Sequence, residues 1–258
     1  MAVMLGGCAS TRHSPPPLPL AESGTPKTYA CVRASTPITI DGVLDEAEWD
    51  AASWSEAFVD IEGAKRPVPR FETRMKMMWD DEFLYVAAKL DEPHVWATYA
   101  KRDLIVFEEN DFEIFIDPNG DRRNYYEVEV NALGTIFDLF LPRTYIDGGP
   151  ADHDWNMPGM KWATSVDGTL NDPSDVDRGW TVEFALPWRA FAEKGGMPCP
   201  PRAGDAWRIN FSRVQWQTEV VDGAYRKVGG TKEDNWVWTP QGVIDMHRPE
   251  RWGFVRFQ

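Results

Sequence analysis

From Tyr29 onward, apolar side chains recur at every second position rather than every third or fourth. This is the spacing of strands whose residues alternate between two faces. Residues 74–79 and 83–90 read as a hairpin closed by Asp80 and Asp81, and residues 112–117 and 125–131 as a second, joined through Pro118, Asn119, Gly120 and Asp121. Further strands are predicted over 135–141, 162–166, 180–186, 207–214 and 252–257. At most two short helices interrupt them, one near 45–50 and one after Pro187, where a proline suits the first helical turn. Many strands, frequent turn residues and no internal repeat predict an all-β chain. The expected architecture is an antiparallel β-sandwich of immunoglobulin-like or jelly-roll type with long loops.

The alternation also sorts side chains by face. Trp180, Val182, Phe184 and Leu186 share one side, as do Trp207, Ile209 and Phe211, leaving Arg208, Asn210 and Ser212 on the other. Val128 and Val130 likewise oppose Glu127, Glu129 and Asn131. Such faces can hydrogen-bond the hydroxyls of a sugar, or can be solvated outer surfaces laced with weak ion pairs. The pattern alone leaves both readings open.

The chain has 258 residues, 43% of them apolar, enough to fill one large β domain. Its net charge of −14 would repel phosphate backbones, which argues against nucleic acid as a partner and favours a neutral ligand. Thirteen tryptophans exceed what an average domain of this size carries; most are expected in the core, and those on loops or polar faces are candidates for ligand contact. Leu5, Gly6, Gly7 and Cys8 match a lipoprotein signal ending at a lipidated cysteine, and the proline-rich residues 9–28 read as a tether before a domain spanning 29–258. The expectation is an exported protein at the bacterial cell envelope, touching the membrane only through a lipid on Cys8. No segment is long and apolar enough to span a bilayer. Cys31 and Cys199 are either paired or separately buried.

The segments ITIDGVLDEAEWDAA, WDDEFLYVAAKLDEP, NDFEIFIDPNGDRRNYYEVEVNALGTIFD, GWTVEFALPWRAF and RWGFVRF, in that order, resemble carbohydrate-binding module family 9. The resemblance runs from about Thr36 to the end. It implies a non-catalytic β-sandwich that binds an oligosaccharide or polysaccharide, with two aromatic residues clamping a sugar ring and calcium as a structural element. On this resemblance Phe107 takes the place of one clamp and Glu113 that of a carboxylate bonding sugar hydroxyls, while Glu129 stands where the family has an arginine. The second clamp falls near Met246 and His247, neither with the broad face of an indole, and Trp236 and Trp238 are close enough in sequence to supply it. Glu129, Arg208 and Asn210 extend the candidate sugar-binding set along the polar face. For calcium the candidates are Asp91, Asp117, Asn119 and Asp121, whose oxygens suit a hard cation, although 117–121 is also ordinary turn composition.

Two other functions remain open. A glycoside hydrolase needs two carboxylates across the scissile bond, and 41 acidic residues supply candidates without singling any out. A haem-binding electron-transfer domain would use Met77 or Met78 with His94 or His247 as axial ligands.

Overall fold

The structure is a computed structural model and describes residues 25–258, so Cys8 and most of the proline-rich segment lie outside the described residues. Fourteen strands follow in chain order: β1 (Thr28–Arg33), β2 (Val59–Asp60), β3 (Thr73–Trp79), β4 (Phe83–Asp91), β5 (Asp111–Asp117), β6 (Tyr125–Asn131), β7 (Ile136–Leu141), β8 (Lys161–Asp167), β9 (Gly179–Pro187), β10 (Ala206–Gln215), β11 (Thr218–Val221), β12 (Ala224–Lys227), β13 (Asp234–Val237) and β14 (Gly253–Phe257). Among the described residues the one α-helix, α1 (Trp188–Gly195), begins directly after Pro187, as expected, and a 3-10 turn at Ala47–Ala51 occupies the other predicted helix.

The strands curl into a sandwich. One side runs β7-β6-β5-β10-β14-β1 and the other β3-β4-β9-β8, with β13 and β2 extending the first beside β10. β1 belongs to both sides: its first residues pair with β14 and its last two with β3, in each case parallel. The sheet is therefore mixed where a purely antiparallel one was expected. The cause is non-local, because the first and last strands of the domain lie side by side and run the same way. β11 and β12 form a separate hairpin.

The main core fills the space between the sheets, with Phe112, Ile114, Val128, Val130, Phe184, Phe211 and Trp238 among its residues. Gly253 sits against this core so tightly that an added Cβ would lie 2.2 Å from the Trp238 ring. Two smaller apolar clusters lie on the outer faces. One packs Trp49 on Met78 and Tyr85, and the other packs Val106, Met246 and Trp252 on Phe115, Tyr125 and Leu139. Every residue of β5, β6 and β7 is consequently buried. The polar face of these strands is thus a covered surface, not the solvated one that alternation equally allowed.

Glu183 on β9 shows how distant segments lock together. Its carboxylate is fully buried and accepts from Trp49 Nε1 at 2.7 Å and from the backbone amides of Gly42 and Asp41 at 2.9 and 3.1 Å. Gly42 holds φ at +87° with Thr164 backbone beneath it, a position closed to any residue with a side chain. Cys31 and Cys199 are both free thiols.

Candidate functional site

The covered polar face is built by register. Glu113 on β5 pairs with Glu129 on β6 and with Ser212 on β10, while Glu127 and Asn210 flank Phe115 one step along. Period-2 alternation turns Asp111, Glu113, Glu127 and Glu129 to the same side, away from Phe112, Ile114, Val128 and Val130. Oxygens of Asp111, Glu113 and Glu129 lie within 4.8 Å of one another, and all four carboxyls are buried.

Burial is the first cause of their raised pKa values, and for Asp111, Glu127 and Glu129 repulsion by Glu113 comes next. Glu113 is pushed up to about 7, and Asp111, Glu127 and Glu129 well above the ordinary carboxylate range. Among the described residues no lysine or arginine forms an ion pair with Asp111, Glu113 or Glu129. If all three were bare carboxylates, each pair would repel by about 3 kcal/mol at an effective dielectric of about 20. Such a cluster holds protons or a cation. Donors reach only part of it: Val214 N–H donates to Asp111 Oδ1 at 3.1 Å and Phe107 N–H to Glu129 Oε2 at 3.1 Å. Ser212 stands beside Glu113 and favours its charged form.

Two exposed aromatic side chains sit on 3-10 turns flanking these strands in sequence. Phe107, 43% exposed, rides on a 3-10 turn (Val106–Glu108) anchored by buried Val106 and by Trp216 Nε1, which donates to the Phe107 carbonyl at 2.9 Å. Tyr145, 46% exposed, opens a second such turn (Tyr145–Asp147) closed by Thr144 Oγ1 donating to Asp147 at 2.7 Å. Its ring meets that of His247 edge-on at 4.5 Å. Partial burial and the nearby Glu127 and Glu129 raise the Tyr145 hydroxyl to about 12. Phe107 thus bonds Glu129 through its amide, and Tyr145 reaches the same strands through His247, whose Nε2 lies 4.0 Å from Glu127. Tyr145 was not singled out in the sequence, where only a Tyr-Ile pair outside any strand and ahead of Gly148 and Gly149 marks it.

His247 lines the same side. Its Nδ1 lies 3.0 Å from the Tyr125 hydroxyl and its Nε2 4.0 Å from Glu127, and burial lowers its pKa to about 4, which leaves the ring neutral at pH 7. The other expected residues fall elsewhere. Met246 is buried against Trp252, whose indole donates to the Met246 carbonyl at 2.8 Å. Trp236 and Trp238 both point into the core between the sheets, Trp236 under the Arg213 guanidinium and Trp238 against Tyr29 and Phe211, so neither supplies a wall. Asn210 is locked to the Thr239 backbone through both ends of its amide at 2.9 Å. Arg208 lies over Phe254 and donates to the Trp252 carbonyl at 2.6 Å, tying sheet end to loop.

The expected calcium ligands do not assemble. Asp117 accepts from the amides of Gly120 and Arg122, Asn119 bonds Asp121, and Asp91 sits on β4 in the opposite sheet. That set fits a capped turn better than an ion site. The haem arrangement fails likewise, because Met77 and Met78 are buried on opposite faces of β3, while His94 bonds Tyr225 and His247 faces the other sheet. A hollow of about 890 Å³ on the second sheet is bordered by Trp54, Lys89 and Asp91. The Lys76 ammonium lies over the Trp54 ring, so one face of that indole is already occupied.

Residues 40–255 match the family model described as carbohydrate family 9 binding domain-like, and the chain belongs to that family. It is a non-catalytic carbohydrate-binding domain. The chain is 28% identical over 174 residues to exoglucanase XynX of Acetivibrio thermocellus, matching 66% of this chain and 13% of that protein. It is 30% identical over 121 residues to endo-1,4-beta-xylanase A of Thermoanaerobacterium saccharolyticum, matching 47% of this chain and 9% of that protein. The chain thus spans about a tenth of the length of these relatives. Among solved structures it resembles a putative carbohydrate-binding protein from Bacteroides uniformis ATCC 8492, with a TM-score of 0.66 and 16% identity over 91% of this chain and 100% of that one. It also resembles a family 9 carbohydrate-binding module from Caldicellulosiruptor kristjanssonii in complex with cellotriose, with a TM-score of 0.57 and 15% identity over 90% of this chain and 94% of that one. At these identities the structures speak for the fold.

Proposed function

We propose that the domain holds one ring of a neutral oligosaccharide between Phe107 and the Tyr145–His247 pair, with the rim of the carboxylate floor accepting its hydroxyl protons. The observation that carries this reading is that exposed Phe107 bonds the buried Glu129 through its amide while exposed Tyr145 packs on His247, whose Nε2 lies 4.0 Å from Glu127. An aromatic face suits the C–H face of a pyranose, and carboxylates suit its hydroxyls. The acidic floor and the net charge of −14 disfavour anionic sugars. Because the Caldicellulosiruptor module binds cellotriose, β-linked glucan and xylan oligomers are the first ligands to try. Calorimetric titration with cellotriose and xylotriose should give saturable binding. Phe107→Ala and Tyr145→Ala should each weaken it by about 1–3 kcal/mol, roughly five- to 150-fold, without loss of fold. Unchanged affinity in both variants refutes the site.

The same reading extends to location. Leu5, Gly6, Gly7 and Cys8 support lipidation at Cys8, with the proline-rich segment holding the domain off the surface to capture polysaccharide at the cell envelope. Cys8→Ser in the full-length protein should move it from the membrane fraction to the soluble one, and unchanged fractionation removes the claim.

A further inference from the structure

Next to the Phe107 turn lies a hollow of about 420 Å³ whose lining includes Trp96, Tyr99, Glu108, Tyr225, Arg226 and Lys227. Trp96 stands out among them. It is only 7% exposed yet belongs to none of the three apolar clusters, and its indole N–H has no acceptor among the described residues. An indole nitrogen can only donate, and a buried one normally finds a partner. Those of Trp49, Trp79, Trp188 and Trp252 all do, at 2.7, 3.1, 2.8 and 2.8 Å. A buried donor left unmet costs about 1–3 kcal/mol, which a ligand oxygen would recover.

The rest of the lining is aromatic and polar. The Tyr99 hydroxyl donates to Glu108 Oε2 at 2.8 Å, and the Lys227 ammonium lies 3.5 Å from the centre of the Trp216 ring while bonding the Glu108 carbonyl. Arg226 is exposed at the rim. Two cations, Arg226 and Lys227, balance two carboxylates, Glu108 and Glu109, so the hollow suits a neutral polyol better than an anion. It is continuous with the sugar wall, because Glu108 follows Phe107 directly and Trp216, which borders Lys227, holds the Phe107 carbonyl. We propose that this hollow is a second sugar subsite. It takes the ring next to the one at Phe107, with Trp96 Nε1 donating to one hydroxyl, Glu108 accepting from another and Arg226 donating from the rim. The Trp96 N–H lies below the surface, and a shift of the hairpin β11–β12, which pairs with no other strand, admits the hydroxyl to it. The proposal rests on the reading of Phe107 as a sugar wall and deepens it: the ligand is a chain of at least two rings, not a monosaccharide.

Calorimetric titration of the full-length protein with glucose and with cellotriose tests this, since glucose fills one ring position and cellotriose can fill both. The wild type should bind cellotriose about tenfold or more tighter than glucose. Trp96→Phe keeps an aromatic ring and removes the donor, so it should weaken cellotriose binding about three- to tenfold and leave glucose within about twofold. Arg226→Ala, at an exposed position that the fold does not depend on, should move the two affinities the same way. Equal affinity for the two sugars in the wild type, or an unchanged cellotriose-to-glucose ratio in either folded variant, overturns the subsite and leaves the Phe107 wall standing. A loss for both sugars alike in Trp96→Phe makes Trp96 a support of the Phe107 turn and overturns it too. If neither sugar binds the wild type, the Phe107 reading falls and the subsite with it.

Discussion

Replacing Trp238 by alanine separates a core tryptophan from a ligand-binding one. The indole is fully buried between the sheets, 6.5 Å from the Tyr29 ring and 6.1 Å from that of Phe211, and it closes over the backbone of Gly253. Truncation removes the ring from three sets of contacts and leaves a void that the paired strands β10 and β14 cannot collapse into. Deletions of this kind cost about 3–5 kcal/mol. The bond from Nε1 to the Glu56 carboxylate, long at 3.4 Å, adds little. At about 2–4 °C per kcal/mol for a domain of this size, the melting temperature should fall by about 10 °C. Urea denaturation supplies the free energy and calorimetry the oligosaccharide affinity of the fraction that remains folded. The reasoning predicts a large stability loss with affinity held within about twofold. A variant of near wild-type stability that no longer binds sugar would refute it, because that is how a solvent-facing clamp behaves.

Glu183→Ala should cost about 3–5 kcal/mol in the same urea assay, since it leaves the Trp49 indole and two backbone amides without their acceptor in a buried place; a loss under about 1 kcal/mol would show that this junction is not what fixes the segment around Gly42. His247 has a folded pKa near 4, below its unfolded value of 6.5, so the unfolded chain takes up a proton that the folded one refuses. Acidification from pH 7 to 4 should therefore remove up to about 3 kcal/mol of stability through this residue, and His247→Gln should abolish that part of the pH dependence. Stability curves for the two proteins that stay parallel from pH 7 to 4 would contradict the assignment of a buried neutral ring.

Much of the fold is legible in local alternation. The segment expected at residues 74–79 is β3 (Thr73–Trp79), and that at 125–131 is β6 with identical ends, because each strand reports its own period. The parallel placement of β1 was not legible, since its partners are more than 200 residues away in β14 and its pairing leaves no local mark. At the site, alternation correctly grouped Glu127 with Glu129, but the cover on that face comes from two distant segments, Val106 ahead of β5 and Met246 with Trp252 in the connection from β13 to β14. Trp236 and Trp238 expose the limit of the method: a period of two establishes that they share a face, and only the pairing of β13 with β10 and β2 decides that it is the inner one. Tyr145 was missed for the converse reason, being outside any strand and meaningful only where its turn meets His247.

The central claim is tested most directly by a crystal structure of the protein soaked with cellotriose or xylotriose. The account predicts one sugar ring held between Phe107 and Tyr145, its hydroxyls directed at Glu113, Glu127 and Glu129. A ring bound instead in the hollow beside Trp54, Lys89 and Asp91, with the Phe107–Tyr145 space empty, would contradict it.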